Sequence, residues 1–246
     1  MGFADRDYYR QPAGRSSGGV VFGQSFSALS VTTWLIIINV VVFLVDRVVH
    51  QQVVYYDNWG TYEPVTIHPI TAFGEFTATA AIAHLQVWRF ITFQFLHAGP
   101  DHLLFNMFAL FFFGPLIERY LGRIRYLIFY LLCGIAGPIC LLVMAALHVL
   151  AVAPNTPLVG ASAGIFGILI AAAMVLPDAT VLVYGVFPAK LRTVAWVLLA
   201  VAVYTVISNG ENAGGESAHI GGAAAGFLLI KYPVVLGSLE RLWRKR

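Results

Sequence analysis

Uncharged apolar runs recur along this chain at lengths that suit a lipid bilayer. No Asp, Glu, Lys or Arg occurs from Ser16 to Val45, and the apolar part of that stretch, VTTWLIIINVVVFLV, opens near Val31. About 20 apolar residues cross the hydrocarbon of a membrane, so a first span is predicted there. The stretch from Tyr126 to Pro177 is again free of charge, and the polar break VAPNTP divides it into two spans. Leu103 to Ile117, Thr193 to Ile207 and Ala218 to Ile230 supply three more, which predicts six spans in all.

Composition agrees with this pattern. At 59% hydrophobic and 11% charged, the chain is too apolar for an ordinary soluble domain of its length. With six spans both termini lie on one side. That side would carry Arg6, Arg10 and Arg15, the second loop with Arg119, Arg123 and Arg125, Lys190 and Arg192 of the fourth loop, and Arg241, Arg244, Lys245 and Arg246 at the end. The other side has only Arg47 and Arg89 for certain, and excess Lys and Arg marks the cytoplasmic face, so both termini are predicted to be cytoplasmic. The net charge of +3 is then a topology signal and not a nucleic-acid footprint.

The chain is therefore expected to divide into a flexible cytoplasmic tail over residues 1–28, one six-span domain over residues 29–236, and a basic cytoplasmic tail over residues 237–246. Loop 1, from about Gln51 to Gln94, is the one long connection. Its aromatic residues, among them Tyr55, Tyr56, Trp59, Tyr62, Phe73, Phe76, Trp88 and Phe90, predict that it lies partly in the headgroup layer.

Polar groups inside spans are costly, so each is a functional candidate. Three clusters stand out. The first is GASAGIFG, Gly160 to Gly167, at the start of the fourth span. It satisfies Gly-x-Ser-x-Gly, but the strand, turn and helix of a soluble hydrolase are missing around it. A serine at a helix start has its own N–H free, so an oxyanion could be held beside an attacking Ser162 hydroxyl. The bland alternative is a small residue packing between glycines.

The second cluster, SAHIGGAAAG, opens the sixth span and sets His219 at about the depth of Ser162. Gly222 and Gly226, facing Gly164 and Gly167, would let the two helices approach until His219 reaches Ser162. An imidazole with a pKa near ~6.5 is a suitable base for a serine hydroxyl. No carboxylate lies within the apolar part of either helix, which gives a Ser-His dyad. Glu216, one turn before His219, is either a third member or, as the simpler reading has it, a solvated loop charge.

The third cluster, HAGPDHLLFNMF, begins the second span, where His102 and Asn106 share a helix face and can both donate into one space. That is what an oxyanion hole requires, against the alternative of a plain interhelical hydrogen bond. His97, Asp101 and His102 could be read as metal ligands. They lack the His-Glu-x-x-His spacing of helix-borne zinc hydrolases, so no metal and no cofactor is expected.

Together these residues resemble one family, the rhomboid intramembrane serine proteases. The resemblance runs from about residue 31 to residue 235. In order it takes in Trp88-Arg89 in loop 1, His102 and Asn106 in the second span, Glu118-Arg119 at that span's cytoplasmic end, Gly160-x-Ser162 in the fourth, and Ala218-His219-x-Gly-Gly in the sixth. It implies an all-α membrane protein with the six-helix rhomboid bundle. The implied activity is an endopeptidase that cuts transmembrane segments of other proteins near the outer face of the bilayer, through Ser162, His219 and an acyl-enzyme. The oxyanion would be held by His102, Asn106 and the Ser162 N–H. Gly160, Phe166, His97, Gly222 and Gly226 would support the site, while Trp88, Arg89, Glu118 and Arg119 would be structural. Ala163 and Phe166 depart from the frequent pattern, where Gly and, in some relatives, Tyr stand. The implied partners are transmembrane substrates and the lipid bilayer, and the implied location is the cytoplasmic (inner) membrane as a multi-pass protein. A silent rhomboid-like scaffold and a transporter are the competing classes. The first would lack one of the four site residues, and the second should show internal repeats or paired charges across spans.

Overall fold

The computed structural model of the protein describes residues 29–56, 62–183 and 186–244. The expected N-terminal tail, its three arginines, Trp59, and Lys245 and Arg246 lie outside the described residues.

Six helices form the bundle: α1 (Val31–Val48), α4 (Pro100–Leu121), α5 (Arg123–Ala146), α6 (Ser162–Val175), α7 (Leu191–Ile207) and α8 (Ala213–Lys231). They coincide with the six predicted apolar runs. By length and composition α1, α4 and α5 each suffice to cross a membrane, and α8 passes as a bent pair with α9 (Val234–Arg244); α6 and α7 are shorter apolar helices. The outer surface of the bundle is coated with exposed large apolar side chains, for example Phe105, Phe108, Phe111 and Trp196. A surface of that kind suits lipid rather than water, and the chain is a multi-pass membrane protein.

α6 is the central helix. Its residues from Ala163 to Ile165 and from Gly167 to Ala172 are all buried. Small residues allow this. A side chain at Gly222 or Gly226 on α8 would strike the backbone of Ala163 or Gly167 on α6, and one at Gly167 would strike Cys133 on α5. Close backbone approach through glycine is how helices associate where no water drives them together. Gly164 differs from expectation in that it faces Tyr130 of α5, not α8.

The start of α1 is fastened to the end of α4. The Glu118 carboxylate accepts from the backbone N–H groups of Val31 (2.7 Å) and Thr32 (2.9 Å) and from Thr32 Oγ1 (2.7 Å). A buried carboxylate thus meets the unpaired donors and the positive end of a helix. Arg119 beside it is exposed on the last turn of α4 and makes no ion pair among the described residues. Gly122 alone joins α4 to α5 at φ +78°, a backbone conformation open to glycine.

The structure corrects one expectation and adds detail to the rest. The fold is not purely helical, because loop 1 contains the antiparallel hairpin β1 (Gln51–Tyr56) and β2 (Tyr62–Ile67), and a second hairpin, β3 (Thr180–Val183) and β4 (Phe187–Lys190), precedes α7. Loop 1 also carries the short helices α2 (Pro69–Gly74) and α3 (Arg89–Thr92). At the end of the chain, α9 runs across residue 236. This helix is amphipathic and packs on α5, with Leu236 fully buried and Glu240 paired to Arg125 at 2.6 Å.

Candidate active site

Loop 1 is joined to the segment before α6 by backbone hydrogen bonds. Phe76 and Leu158 exchange backbone hydrogen bonds of 3.0 and 2.8 Å, and the Gly160 N–H donates to the Phe93 carbonyl at 2.9 Å. These contacts hold the extended segment before α6 and so fix where Ser162, its first residue, begins. The loop is itself held by Arg89, which is buried and donates to the carbonyls of Ala72 (2.9 Å) and Glu75 and to Gln86 Oε1 (2.6 Å). Trp88 stacks on Phe73 at 5.4 Å and donates to its carbonyl at 3.3 Å.

Ser162 Oγ and His219 Nε2 are 2.8 Å apart, a contact between α6 and α8. The His219 ring lies parallel to Phe166 at 4.2 Å and 8°. On its other edge, His219 Nδ1 is 2.8 Å from Glu216 Oε2. A carboxylate accepts only, so Nδ1 carries the proton there, and Nε2 is left to accept from the serine hydroxyl. Ser162, His219 and Glu216 therefore form one chain of hydrogen bonds. Glu216 is not a solvated loop charge: it sits in the first turn of α8 with its side chain 21% exposed.

His102 approaches from α4. Gly160, at φ +130°, has room only for hydrogen on that side: a Cβ there would lie 2.8 Å from His102 Nε2 and 3.5 Å from Ser162 Oγ. The Ala98 N–H points at His102 Nδ1 from 3.4 Å, which favours the tautomer with the proton on Nε2. Asn106 donates to the His102 carbonyl at 2.8 Å and lines the cavity. His97 is buried edge-on against His102 at 5.1 Å, with neither ring nitrogen hydrogen-bonded among the described residues. Burial, and secondarily the nearby His102, push its pKa down to about 3, so it is neutral at ordinary pH.

A cavity of about 730 Å³ is lined by Ser162, His219, His102, Asn106, Phe105 and Phe166. Glu75 of loop 1, absent from the sequence expectations, also borders it, and burial raises its pKa against a lowering by Arg89. The cavity places the Ser162 hydroxyl in one space with the side chains of His102, Asn106 and His219.

A family model described as the Rhomboid domain matches residues 84–234, more than half of the chain. RHOMBOID-like protein 4 of Arabidopsis thaliana is 36% identical over 143 residues, 58% of this chain and 33% of its own length. Rhomboid protease GluP of Bacillus subtilis (strain 168) is 32% identical over 166 residues, 64% of this chain and 28% of its own. Inactive RHOMBOID-like protein 8 of Arabidopsis thaliana is 33% identical over 84 residues, 34% of this chain and 22% of its own. The chain spans less than half the length of these relatives.

Proposed function

This chain belongs to the rhomboid family, and from that premise we propose that it is an intramembrane serine endopeptidase with Ser162 as nucleophile and His219 as general base. The observation that carries the reading is the 2.8 Å contact from Ser162 Oγ to His219 Nε2. A hydroxyl that close to an unprotonated imidazole nitrogen has somewhere to send its proton as it attacks.

In this reading the Ser162 proton passes to Nε2 while Oγ bonds to the carbonyl carbon of a peptide bond, and the carbonyl electron pair moves onto oxygen. His102, Asn106 and the Ser162 N–H hold that oxyanion. The C–N bond then breaks as imidazolium returns the proton to the leaving nitrogen, and water enters by the reverse of the same steps to release the acyl group. Gly160 gives His102 its close approach, Phe166 supports the imidazole, and Gly222 and Gly226 keep α8 against α6. His97 packs behind His102.

The substrate class is a transmembrane protein segment that unwinds near the outer face, since a helical peptide bond is shielded and already hydrogen-bonded. We place the six helices as six spans with both termini cytoplasmic, in the inner membrane, and residues 29–236 as the catalytic unit with α9 lying along its cytoplasmic face.

The test is cleavage of a panel of single-span proteins co-reconstituted in liposomes. Wild type should yield a new N-terminus within the outer third of a substrate span, and Ser162→Ala should yield none. Equal cleavage by both would sink the assignment.

A further inference from the structure

We propose that Glu216 is a positioning residue for His219, so that this protein works with a Ser-His-Glu triad in place of a dyad; the inference rests on the reading of Ser162 and His219 given above. Two groups hold the imidazole in place. Phe166 stacks on its face at 4.2 Å and 8°, which fixes the plane of the ring. Stacking on a hydrocarbon ring is indifferent to a half-turn of the imidazole about its Cβ–Cγ bond, and indifferent to which nitrogen is protonated. The half-turn would set a carbon against Ser162, and the other tautomer would leave Nε2 protonated and unable to accept. The bond between His219 Nδ1 and Glu216 Oε2, 2.8 Å long, removes both ambiguities at once.

The placement of Glu216 is itself fixed. It lies one helical turn before His219, so both project from the same face of α8. Its backbone N–H donates to the Asn212 carbonyl at 3.0 Å, and Asn212 turns the chain into α8 through a left-handed conformation at φ +61°. Beside it, Ser217 is fully buried and donates to the Gly214 carbonyl at 2.7 Å. The first turn of a helix also favours negative charge. When Ser162 gives its proton to Nε2, the carboxylate retains the Nδ1 hydrogen bond and faces the new positive charge from 2.8 Å.

Few other charges compete. Among the titratable groups that share the cavity, α4 presents His102 and loop 1 presents Glu75, while α6 adds the Ser162 hydroxyl beside the apolar Ile165 and Phe166. α5 brings Cys140 against Gly221 of α8. The cation of α7, Arg192, is paired with Asp178. Among the described residues, no Lys or Arg lines the cavity.

The experiment is the pH dependence of modification of full-length protein in detergent by a fluorescent fluorophosphonate, for wild type, Glu216→Ala, Glu216→Gln, Ser162→Ala and His219→Ala. Both Glu216 variants should lose about 10²-fold or more in the maximal rate with little change in the half-saturating concentration. Without the carboxylate, imidazolium is less favoured, so the acid limb of their rate profiles should move to lower pH. Gln is close in size to Glu, so it keeps the test open if the Ala variant does not fold. A wild-type rate in either folded variant overturns the proposal, and so does a slowed variant whose acid limb has not moved, because that is a packing defect. Loss of labelling in His219→Ala with wild-type behaviour in both Glu216 variants would leave the dyad standing and remove Glu216 from it. A wild type that is not labelled at Ser162 overturns both readings.

Discussion

At the scale of single residues, the account depends on groups that offset the cost of their place in an apolar bundle by hydrogen bonding. His102 and Asn106 are assigned to the oxyanion, so His102→Ala and Asn106→Ala should each lower kcat by on the order of 10²-fold while leaving KM within a few-fold, as measured on a cleaved single-span substrate. His97 provides a different test. It binds a proton below about 6.5 when unfolded but only near about 3 when folded. Its contribution to stability is therefore full above the unfolded value and is lost as pH falls through that window toward 3. The melting temperature in detergent should fall on acidification from about pH 7 to about pH 4, and His97→Leu should flatten that fall. Ser162, His219, His102 and Asn106 are legible in the sequence because a polar side chain within an apolar run has few innocent explanations. Glu216 is not. The apolar window of the last span opens at Ala218, whereas the helix opens five residues earlier at Ala213, so the polar first turn that carries Glu216 lies outside the window.

At the scale of elements, the proposed chemistry requires α6 and α8 to touch. A side chain at Gly222 would meet the Ala163 carbonyl, one residue from Ser162. Gly222→Val should therefore force the helices apart and reduce cleavage by about 10²-fold or more even in protein that still folds, since a misplacement of about 1 Å can have that effect. Circular dichroism and turnover measured on the same preparation check this. Glu118 acts far from the site. Glu118→Ala removes the charged acceptor of two N–H groups and one hydroxyl at the start of α1, which should cost about 2–3 kcal/mol and lower the melting temperature while leaving the maximal rate of folded enzyme unchanged. The six long helices can be read from uncharged runs. The hairpins of loop 1 and before α7 cannot, because each is short and its strand-forming residues sit in stretches that also read as interfacial loop. α9 escapes for a related reason: its apolar residues occupy one face only, and its charges make it resemble a tail.

For the whole molecule, the charge distribution predicts which ends share a compartment. In a cysteine-free background expressed in intact cells, Asn155→Cys, in the loop before α6, should react with a membrane-impermeant maleimide, and Ser238→Cys on α9 should react only after the membrane is broken. The reverse pattern would invert the orientation proposed above. The account stands most directly on whether Ser162 is an activated nucleophile. The decisive measurement is peptide mapping by mass spectrometry after the folded full-length protein has reacted with a fluorophosphonate. An adduct on Ser162 in wild type, and no adduct in His219→Ala or Ser162→Ala, is the predicted result. A folded wild type that carries no adduct, or carries it on another serine, would contradict the account.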